Sequence, residues 1–237
     1  MENGVSPKMK PILAKMKEFL YEEIVPLEKQ FIGGSMKEMN DVLEEKRAKV
    51  REMGMWCPQV PEEYGGMGLS LLEHGFVSEV LGQSPLGHYM FNCQAPDAGN
   101  MEILIDHGTP EQKEKFLMPL VRGEIRSCFS MTEPGHAGSN PTVMSTTAVK
   151  EGDQFIIDGH KWFTSSADGA SFAVVMAVTD PQAARHERAS QIIVPTDTPG
   201  FKLVRNISVM GEPGDSHASH AEITYDVVMV SQDNLLG

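Results

Sequence analysis

Two short segments of the chain combine small, hydroxyl-bearing and aromatic residues in a pattern that suits a planar, polar ligand. The first, Cys128–Asn140, is a short apolar run that breaks at Glu-Pro into a loop of Gly, Ala, Ser and Asn. A strand that ends in such a loop presents backbone amides and hydroxyls at one concave spot. The second, Lys161–Ser166, places a large aromatic ring beside a hydroxyl at the end of a predicted strand. Together these segments are typical of a flavin site.

Taken alone, each of these features also has an ordinary structural interpretation. Gly, Ser and Asn form turns at strand ends, and a single tryptophan such as Trp162 is most often a core or surface aromatic. His136 lies inside the first segment, and histidine is a common acid-base residue in proteins, but His136 is interpreted as a loop residue. His217 and His220 are close in sequence, yet no further ligands follow at suitable spacing, so no metal site is predicted.

Both segments resemble the flavin-binding signatures of the acyl-CoA dehydrogenase family, which has a Thr-Glu-Pro loop ending in Gly-Ser-Asp or Ser-Ser-Asp and a later Trp-x-Thr or Trp-x-Ser. Phe91–Asp97 and the ending Asn234–Gly237 strengthen the resemblance, the former to the branch typified by acyl-CoA dehydrogenase family member eleven. Two departures are visible. The loop is one residue longer than the shorter form and ends in Asn140, where Asp is commoner, and the family's C-terminal helical domain is missing from the sequence.

The resemblance implies FAD as the cofactor and a set of residues that contact it. Trp162 is expected to pack beside the flavin ring, with the Thr164 hydroxyl near N5, where a donor stabilises the charge of the reduced ring. Ser139 is expected near the flavin phosphates or the acyl-CoA, so the resemblance implies it as a substrate-binding candidate as well. The cofactor-binding residues that the resemblance implies are Phe129, Ser130, Met131, Thr132, Gly138, Ser139, Trp162, Phe163 and Thr164.

The reaction that the resemblance implies is α,β-dehydrogenation of a fatty acyl-CoA thioester to the 2-enoyl-CoA, as in fatty acid β-oxidation. The family's catalytic base is a Glu of the C-terminal domain, so it is expected beyond Gly237 and no catalytic residue is assigned here, Glu133 included. The chain alone is expected to bind flavin weakly and to turn nothing over. The complete protein is expected to be a homodimer or homotetramer that passes electrons to an electron-transfer flavoprotein. An acyl-CoA oxidase, a flavin monooxygenase of the same fold and a truncated, non-catalytic partner subunit are the alternatives.

Composition limits the class of protein further. The chain has 237 residues, enough for one large or two small domains. A net charge of -13 argues against nucleic acid as a partner. Acyl-CoA is also polyanionic, so a site that binds it needs cations nearby. The loop Ala184–Arg188 either supplies these cations or is an ordinary solvated loop.

The location of the protein is predicted from what the sequence contains. No apolar run approaches the ~20 residues of a membrane span, and Met1–Pro7 lacks the features of a signal peptide. The three cysteines are odd in number and scattered, which favours a reduced, intracellular setting. The expected location is the cytoplasm of a bacterium, or the mitochondrion or peroxisome of a eukaryote.

The first half of the chain has the periodicity of helices. Apolar residues recur at helical spacing and stop near Pro26. Capping-box patterns begin at Ser35, Ser70 and Thr109, and the charged segment Glu38–Glu52 is interpreted as the solvated face of its helix. The predicted helices cover about residues 12–24, 35–53, 70–81 and 96–108, with a further start at 109.

After Arg122 the pattern changes to short runs rich in β-branched residues, separated by turn formers, which predicts a sandwich or small barrel. The sequence therefore predicts an α+β protein, with an N-terminal helical bundle domain (residues 1–125) and a middle β-domain with the flavin-binding loops (residues 126–237). The predicted strands cover residues 143–150, 154–158, 171–179, 191–195, 201–204 and 221–230.

Overall fold

Helices fill the first half of the chain and strands the second in a computed structural model that describes residues 4–138 and 140–237. The described chain divides into two compact units. Unit 1 contains the chain up to Ala98 together with Val121–Gly123, and unit 2 contains Gly99–Leu120 together with Glu124–Gly237. The predicted α+β class, with helices before a mostly antiparallel sheet, is confirmed. None of the helices in the described part of the chain is long and apolar enough to cross a bilayer.

The helices follow the order that the sequence indicates. The amphipathic first helix continues through a π-helical and a 3-10 segment, Leu20–Ile24 and Val25–Leu27, where Pro26 interrupts the regular hydrogen bonding. A second π-helical segment, Lys113–Leu117, precedes the last helix. The α-helices are α1 (Met9–Phe19), α2 (Glu28–Ile32), α3 (Asn40–Glu52), α4 (Leu71–Leu81), α5 (Gly87–Met90), α6 (Asp97–His107), α7 (Pro110–Gln112) and α8 (Met118–Val121).

Two of the three predicted capping boxes start helices. Ser70 Oγ accepts a hydrogen bond from Glu73 N while the Glu73 carboxylate accepts from Ser70 N, and Thr109 and Gln112 exchange the same pair of bonds. The start predicted at Ser35 is wrong, because α3 begins at Asn40. Ser35 Oγ still accepts from the backbone N of the third residue along, at 3.3 Å. Such a local bond also stabilises an isolated turn, and here it does no more than that.

The charged face of α3 is not wholly solvated, contrary to the sequence interpretation. Arg47 is only 1% exposed. Its guanidinium lies 4.7 Å from the Trp56 ring centroid and 4.4 Å from that of Tyr89, and it donates to Tyr89 O at 2.5 Å. Stacking between two aromatic rings compensates a buried guanidinium. Arg47 is therefore a core residue of unit 1.

The second half of the chain forms one eight-stranded sheet. Its strands are β1 (Ser127–Ser130), β2 (Thr147–Glu151), β3 (Gln154–Ser165), β4 (Phe172–Val178), β5 (Ala189–Pro195), β6 (Phe201–Asn206), β7 (His220–Ser231) and β8 (Leu235–Leu236). The strand order is β6-β7-β3-β2-β4-β5-β8, and β1 pairs in parallel with β4 off this path. Most of the predicted strands are present, but β2 begins four residues later than predicted, and β3 extends well past its predicted end.

All eight strands contribute to a single apolar core. Inward residues of β1 to β5 and β7 form one buried cluster, against which Phe201 of β6 and Leu235 of β8 pack. The other face of β4 is covered too, since Phe172 contacts Phe116 with 5.0 Å between ring centroids. Gln112 donates to the backbone O of Leu235 at 2.8 Å. The later helices of unit 2 thus pack against β4 and β8 of its sheet.

Candidate functional site

The two segments singled out from the sequence lie side by side in unit 2. Trp162 N donates to Thr132 O at 3.0 Å, and Thr132 Oγ1 donates to Trp162 O at 2.5 Å. The two residues therefore exchange a reciprocal pair of hydrogen bonds across 30 positions of sequence. This pair joins the loop that follows β1 to the end of β3, as a common site requires.

A buried ion pair makes a second connection between the same segments. Lys161 Nζ donates to Met131 O at 2.7 Å and to Glu133 Oε1 at 2.9 Å. The side chains of Lys161 and Glu133 are 0% and 5% exposed. The Glu133 carboxylate also accepts from the backbone N of Ser145 at 2.6 Å and of Thr146 at 2.8 Å. Both carboxylate oxygens are thus occupied by donors.

The pKa values of this pair are set by burial and by its hydrogen bonds. Burial alone would raise the pKa of Glu133, but bonds from the Ser145–Thr146 segment and from Lys161 outweigh it, so the pKa is lowered from 4.5. Burial lowers the pKa of Lys161, while the charge of Glu133 and its hydrogen bond oppose the shift. Glu133 is thus a charged hydrogen-bond acceptor for Lys161 and for the Ser145–Thr146 backbone.

A β-bulge at the end of β3 decides which side chains point inward. Lys161 is paired with Ile223 of β7, but Thr164 is paired with Ala221, so β3 contains one residue more than β7 between these pairs. Phe163 absorbs the extra residue with a φ of 48°. Strict alternation would place Lys161 and Thr164 on opposite faces, whereas both are buried here. Bulges often redirect a side chain at a functional site in this way.

The aromatic residues of the bulge remain accessible. Phe163 is exposed and Trp162 is half-buried, and their ring centroids lie 5.0 Å apart. Trp162 is thus accessible, while Thr164, two residues further along the chain, is buried. The contact of Phe163 with Trp162 means that the Phe163 side chain supports the indole from one side.

Three buried hydroxyls meet behind the bulge. Tyr225 Oη donates to Ser130 Oγ at 2.9 Å, and Ser130 Oγ lies 3.3 Å from Thr164 Oγ1. Ser130 and Thr164 were expected from the sequence, but Tyr225 was not. The available signal was the alternation of β7, in which Ala221, Ile223 and Tyr225 are successive inward positions, so the tyrosine is the one polar group among them.

The later part of the loop approaches the strand end closely. A Cβ atom at Gly138 would lie 3.0 Å from Thr132 Cγ2, so the absence of a side chain permits this approach. Asn140 Oδ1 accepts from Thr142 Oγ1 at 2.7 Å and from Thr142 N at 3.1 Å, which closes the loop. Ser139, expected to bind both cofactor and substrate, lies outside the described residues.

A cationic cavity follows the loop directly. It has a volume of about 400 Å³, and its lining includes Pro141, Thr142, Arg185 and Arg188. Arg185 Nε donates to Thr142 Oγ1 at 2.7 Å, which ties the arginine to the segment next to Asn140. The loop that the sequence singled out as a source of cations therefore lines a cavity.

His136, His217 and His220 each have a hydroxyl partner. His136 Nε2 lies 2.6 Å from Ser145 Oγ, and the Nδ1 atoms of His217 and His220 lie 2.9 and 2.8 Å from the hydroxyls of Ser166 and Ser165 respectively. Among residues 4–138 and 140–237, no three His, Cys, Asp or Glu side chains are grouped closely enough to hold a metal ion.

A helical unit, a mostly antiparallel sheet and a Thr-Glu-Pro loop locked to a Trp-x-Thr bulge define a protein of the acyl-CoA dehydrogenase class. Comparison with family models agrees: residues 6–124 match the acyl-CoA dehydrogenase N-terminal domain and residues 128–228 match the middle domain. The chain belongs to the acyl-CoA dehydrogenase family, whose members are in general flavin-dependent oxidoreductases.

Individual relatives agree with this assignment and with the branch inferred from the sequence. The chain is 36% identical to acyl-CoA dehydrogenase family member 10 of Mus musculus and 36% identical to family member 11 of Gallus gallus. Each match covers 98% of this chain, but only 23% and 31% of the two relatives. The crystal structure of acyl-CoA dehydrogenase from Geobacillus kaustophilus superposes with a TM-score of 0.77 at 31% identity, over 100% of this chain and 60% of that one. The chain thus spans under a third of these curated relatives and three fifths of the solved enzyme.

Proposed function

We propose that the protein to which this chain belongs dehydrogenates fatty acyl-CoA thioesters with FAD, and that this chain supplies the middle domain that binds the flavin. The observation that supports this most is the reciprocal hydrogen bonding of Thr132 and Trp162, because it brings the two flavin signatures of the sequence together.

The residues present fit a flavin. The backbone from Phe129 to Thr132 would meet the polar edge of the ring. Gly138, whose missing side chain lets the loop pack on Thr132, would with Ser139 approach the phosphates. The half-buried Trp162 would pack beside the ring with Phe163 behind it, and Thr164 would offer its hydroxyl to N5.

Bound FAD would accept the β-hydrogen of the acyl group as a hydride. This chain's own residues would orient the ring, exclude water from one side of it and donate a hydrogen bond from Thr164 to the atom where negative charge develops. The α-proton would leave to a general base, which the family resemblance implies is a carboxylate. Glu133 does not suit that task, since donors occupy both of its oxygens. In keeping with the family resemblance, we propose that the base is a Glu beyond Gly237.

The cationic cavity supports a phosphate-bearing substrate. A chain with a net charge of -13 repels an anion such as acyl-CoA unless cations lie at the site. Arg185 and Arg188 line a cavity next to Pro141 and Thr142, just beyond the flavin loop. We assign the phosphates of the CoA moiety to these arginines.

Titration of the purified chain with FAD tests the cofactor assignment. Weak but saturable binding with quenching of flavin fluorescence is expected of this chain alone, and Trp162→Leu should weaken it about a further fivefold, since aromatic stacking contributes about 1 kcal/mol. His160→Ala is the matched control, because His160 is an exposed residue of the same strand. The cofactor assignment is wrong if FAD does not bind, or if both substitutions have equal effects.

Turnover tests the reaction and is measured on the longest protein made from the gene. Reduction of a dye or of an electron-transfer flavoprotein by acyl-CoA, with little hydrogen peroxide released, is expected for a dehydrogenase. Stoichiometric hydrogen peroxide would instead identify an oxidase. Sedimentation of the same sample shows whether it is the homodimer or homotetramer expected for the complete protein.

A further inference from the structure

We propose that Tyr225 is a positioning residue, which acts through Ser130 to direct the hydroxyl proton of Thr164 toward the bound ligand. The inference rests on the proposed function, because the ligand atom that receives this proton is an unprotonated ring nitrogen of a flavin. It concerns the order of three hydrogen bonds in the core of unit 2.

The three hydroxyls are connected by two consecutive hydrogen bonds. Tyr225 lies on β7, Ser130 on β1 and Thr164 at the end of β3, and all three are at most 2% exposed. Tyr225 Oη lies 2.9 Å from Ser130 Oγ, which in turn lies 3.3 Å from Thr164 Oγ1. In the described part of the chain, Ser130 Oγ has these two hydroxyls as its side-chain partners.

Counting protons fixes the order of the bonds once a ligand is bound. Each hydroxyl has one proton to donate and can accept two. Tyr225 donates its proton to Ser130, and burial raises the pKa of Tyr225 well above its ordinary 10.0, so the phenol keeps that proton at neutral pH. Ser130 can then donate to Thr164, and Thr164 to the ligand.

The opposite order is less favourable in the presence of an acceptor. If Thr164 donated to Ser130, the Ser130 oxygen would accept two protons while its own proton stayed unpaired inside the core. The ligand nitrogen would also lose its donor. An unpaired buried polar group costs about 1–3 kcal/mol. Tyr225 therefore favours the order in which all three protons are used.

Tyr225→Phe removes the first donor and keeps the ring that packs against Phe201 at 5.5 Å between centroids. FAD binding should weaken about fivefold, the value of one net hydrogen bond, and the visible absorption bands of bound FAD should shift. Ser130→Ala should reproduce both changes, because it removes the hydroxyl that connects Tyr225 to Thr164. Thr224→Val is the matched control, since it removes a neighbouring hydroxyl of β7 outside these two hydrogen bonds, and it should change neither.

A double-mutant cycle separates positioning from general stabilisation. On a Thr164→Val background, Tyr225→Phe should change FAD affinity by less than about twofold, because the residue through which it acts is gone. An equal fivefold loss on both backgrounds would overturn the proposal and make Tyr225 a packing residue.

The same cycle is also measured by urea unfolding of the FAD-free chain. There, Tyr225→Phe should lower the unfolding midpoint less on the Thr164→Val background than in the parent. If FAD does not bind but this coupling is present, the hydrogen bonding of Tyr225, Ser130 and Thr164 is supported and the proposed function is refuted. If the coupling is absent, the proposed action of Tyr225 on Thr164 through Ser130 is refuted, whether or not FAD binds.

Discussion

Lys161 Nζ and Glu133 Oε1 lie 2.9 Å apart with both side chains buried, and this pair joins the loop after β1 to the C-terminal part of β3. Neither residue belongs to the set that the resemblance assigns to the flavin. The pair instead fixes the backbone between Met131 and Trp162, where that set is concentrated. It therefore holds the loop after β1 and the end of β3 in register with each other.

Removing one partner of this pair should destabilise the chain strongly. Lys161→Met leaves the Glu133 carboxylate buried without its counter-charge, and we expect a loss of about 3 kcal/mol in the free energy of unfolding. Urea denaturation measures it. Lys202→Ala is the control, because Lys202 and Asp226 form an ion pair 3.3 Å apart with both side chains more than 60% exposed, and it should cost less than about 1 kcal/mol. Equal losses would mean that the buried pair has no special role.

The lowered pKa of Glu133 predicts the acid side of the stability profile. A carboxyl whose folded pKa lies below its ordinary 4.5 stabilises the fold above pH 4.5, and this contribution is lost as pH falls through the folded value. Glu133→Gln should therefore be less stable than the parent at pH 7, with the difference shrinking below pH 4.5. Urea midpoints at several pH values test this. A difference that stays constant with pH would contradict it.

The sequence predicts features that depend on local interactions. The caps at Ser70 and Thr109 involve residues three apart, and both are present. Burial of Arg47 depends on Trp56 and Tyr89, which periodicity within α3 does not show. Non-local packing therefore corrects the local pattern in the helices.

The same limit applies at the candidate site. The types and order of the residues near Thr132 and Trp162 predict a paired site, and the structure pairs them. The bulge at Phe163 exists because β7 contributes one residue fewer, and the Tyr225–Ser130 bond spans 95 positions. Neither relationship can be read from one strand at a time, since each depends on the register between strands.

The positive φ of Phe163 predicts which substitutions the bulge tolerates. At a φ of 48°, a β-branched residue is disfavoured and glycine is not. Phe163→Val should lower the free energy of unfolding by about 1–2 kcal/mol, while Phe163→Gly should cost less, although it removes the ring that contacts Trp162. Thermal or urea unfolding of both variants measures the two losses. A glycine variant less stable than the valine variant would contradict backbone strain at Phe163.

Gly138 should control flavin binding through the Thr132 side chain. An added Cβ would lie 3.0 Å from Thr132 Cγ2, and Thr132 cannot turn away without losing the bond from its Oγ1 to Trp162 O. The loop must move instead. A Gly138→Ala variant should therefore bind FAD about fivefold to tenfold more weakly, in line with an overpacking cost of about 1–1.5 kcal/mol.

Gly135 in the same loop provides the matched control for Gly138→Ala. A Cβ there meets nothing within 4 Å, so Gly135→Ala should leave FAD affinity within about twofold of the parent, since a substitution away from packed contacts changes little. Fluorescence titration of both variants gives the comparison. If Gly135→Ala weakens binding as much as Gly138→Ala does, then the general mobility of the loop controls binding, and the close approach of Gly138 to Thr132 does not.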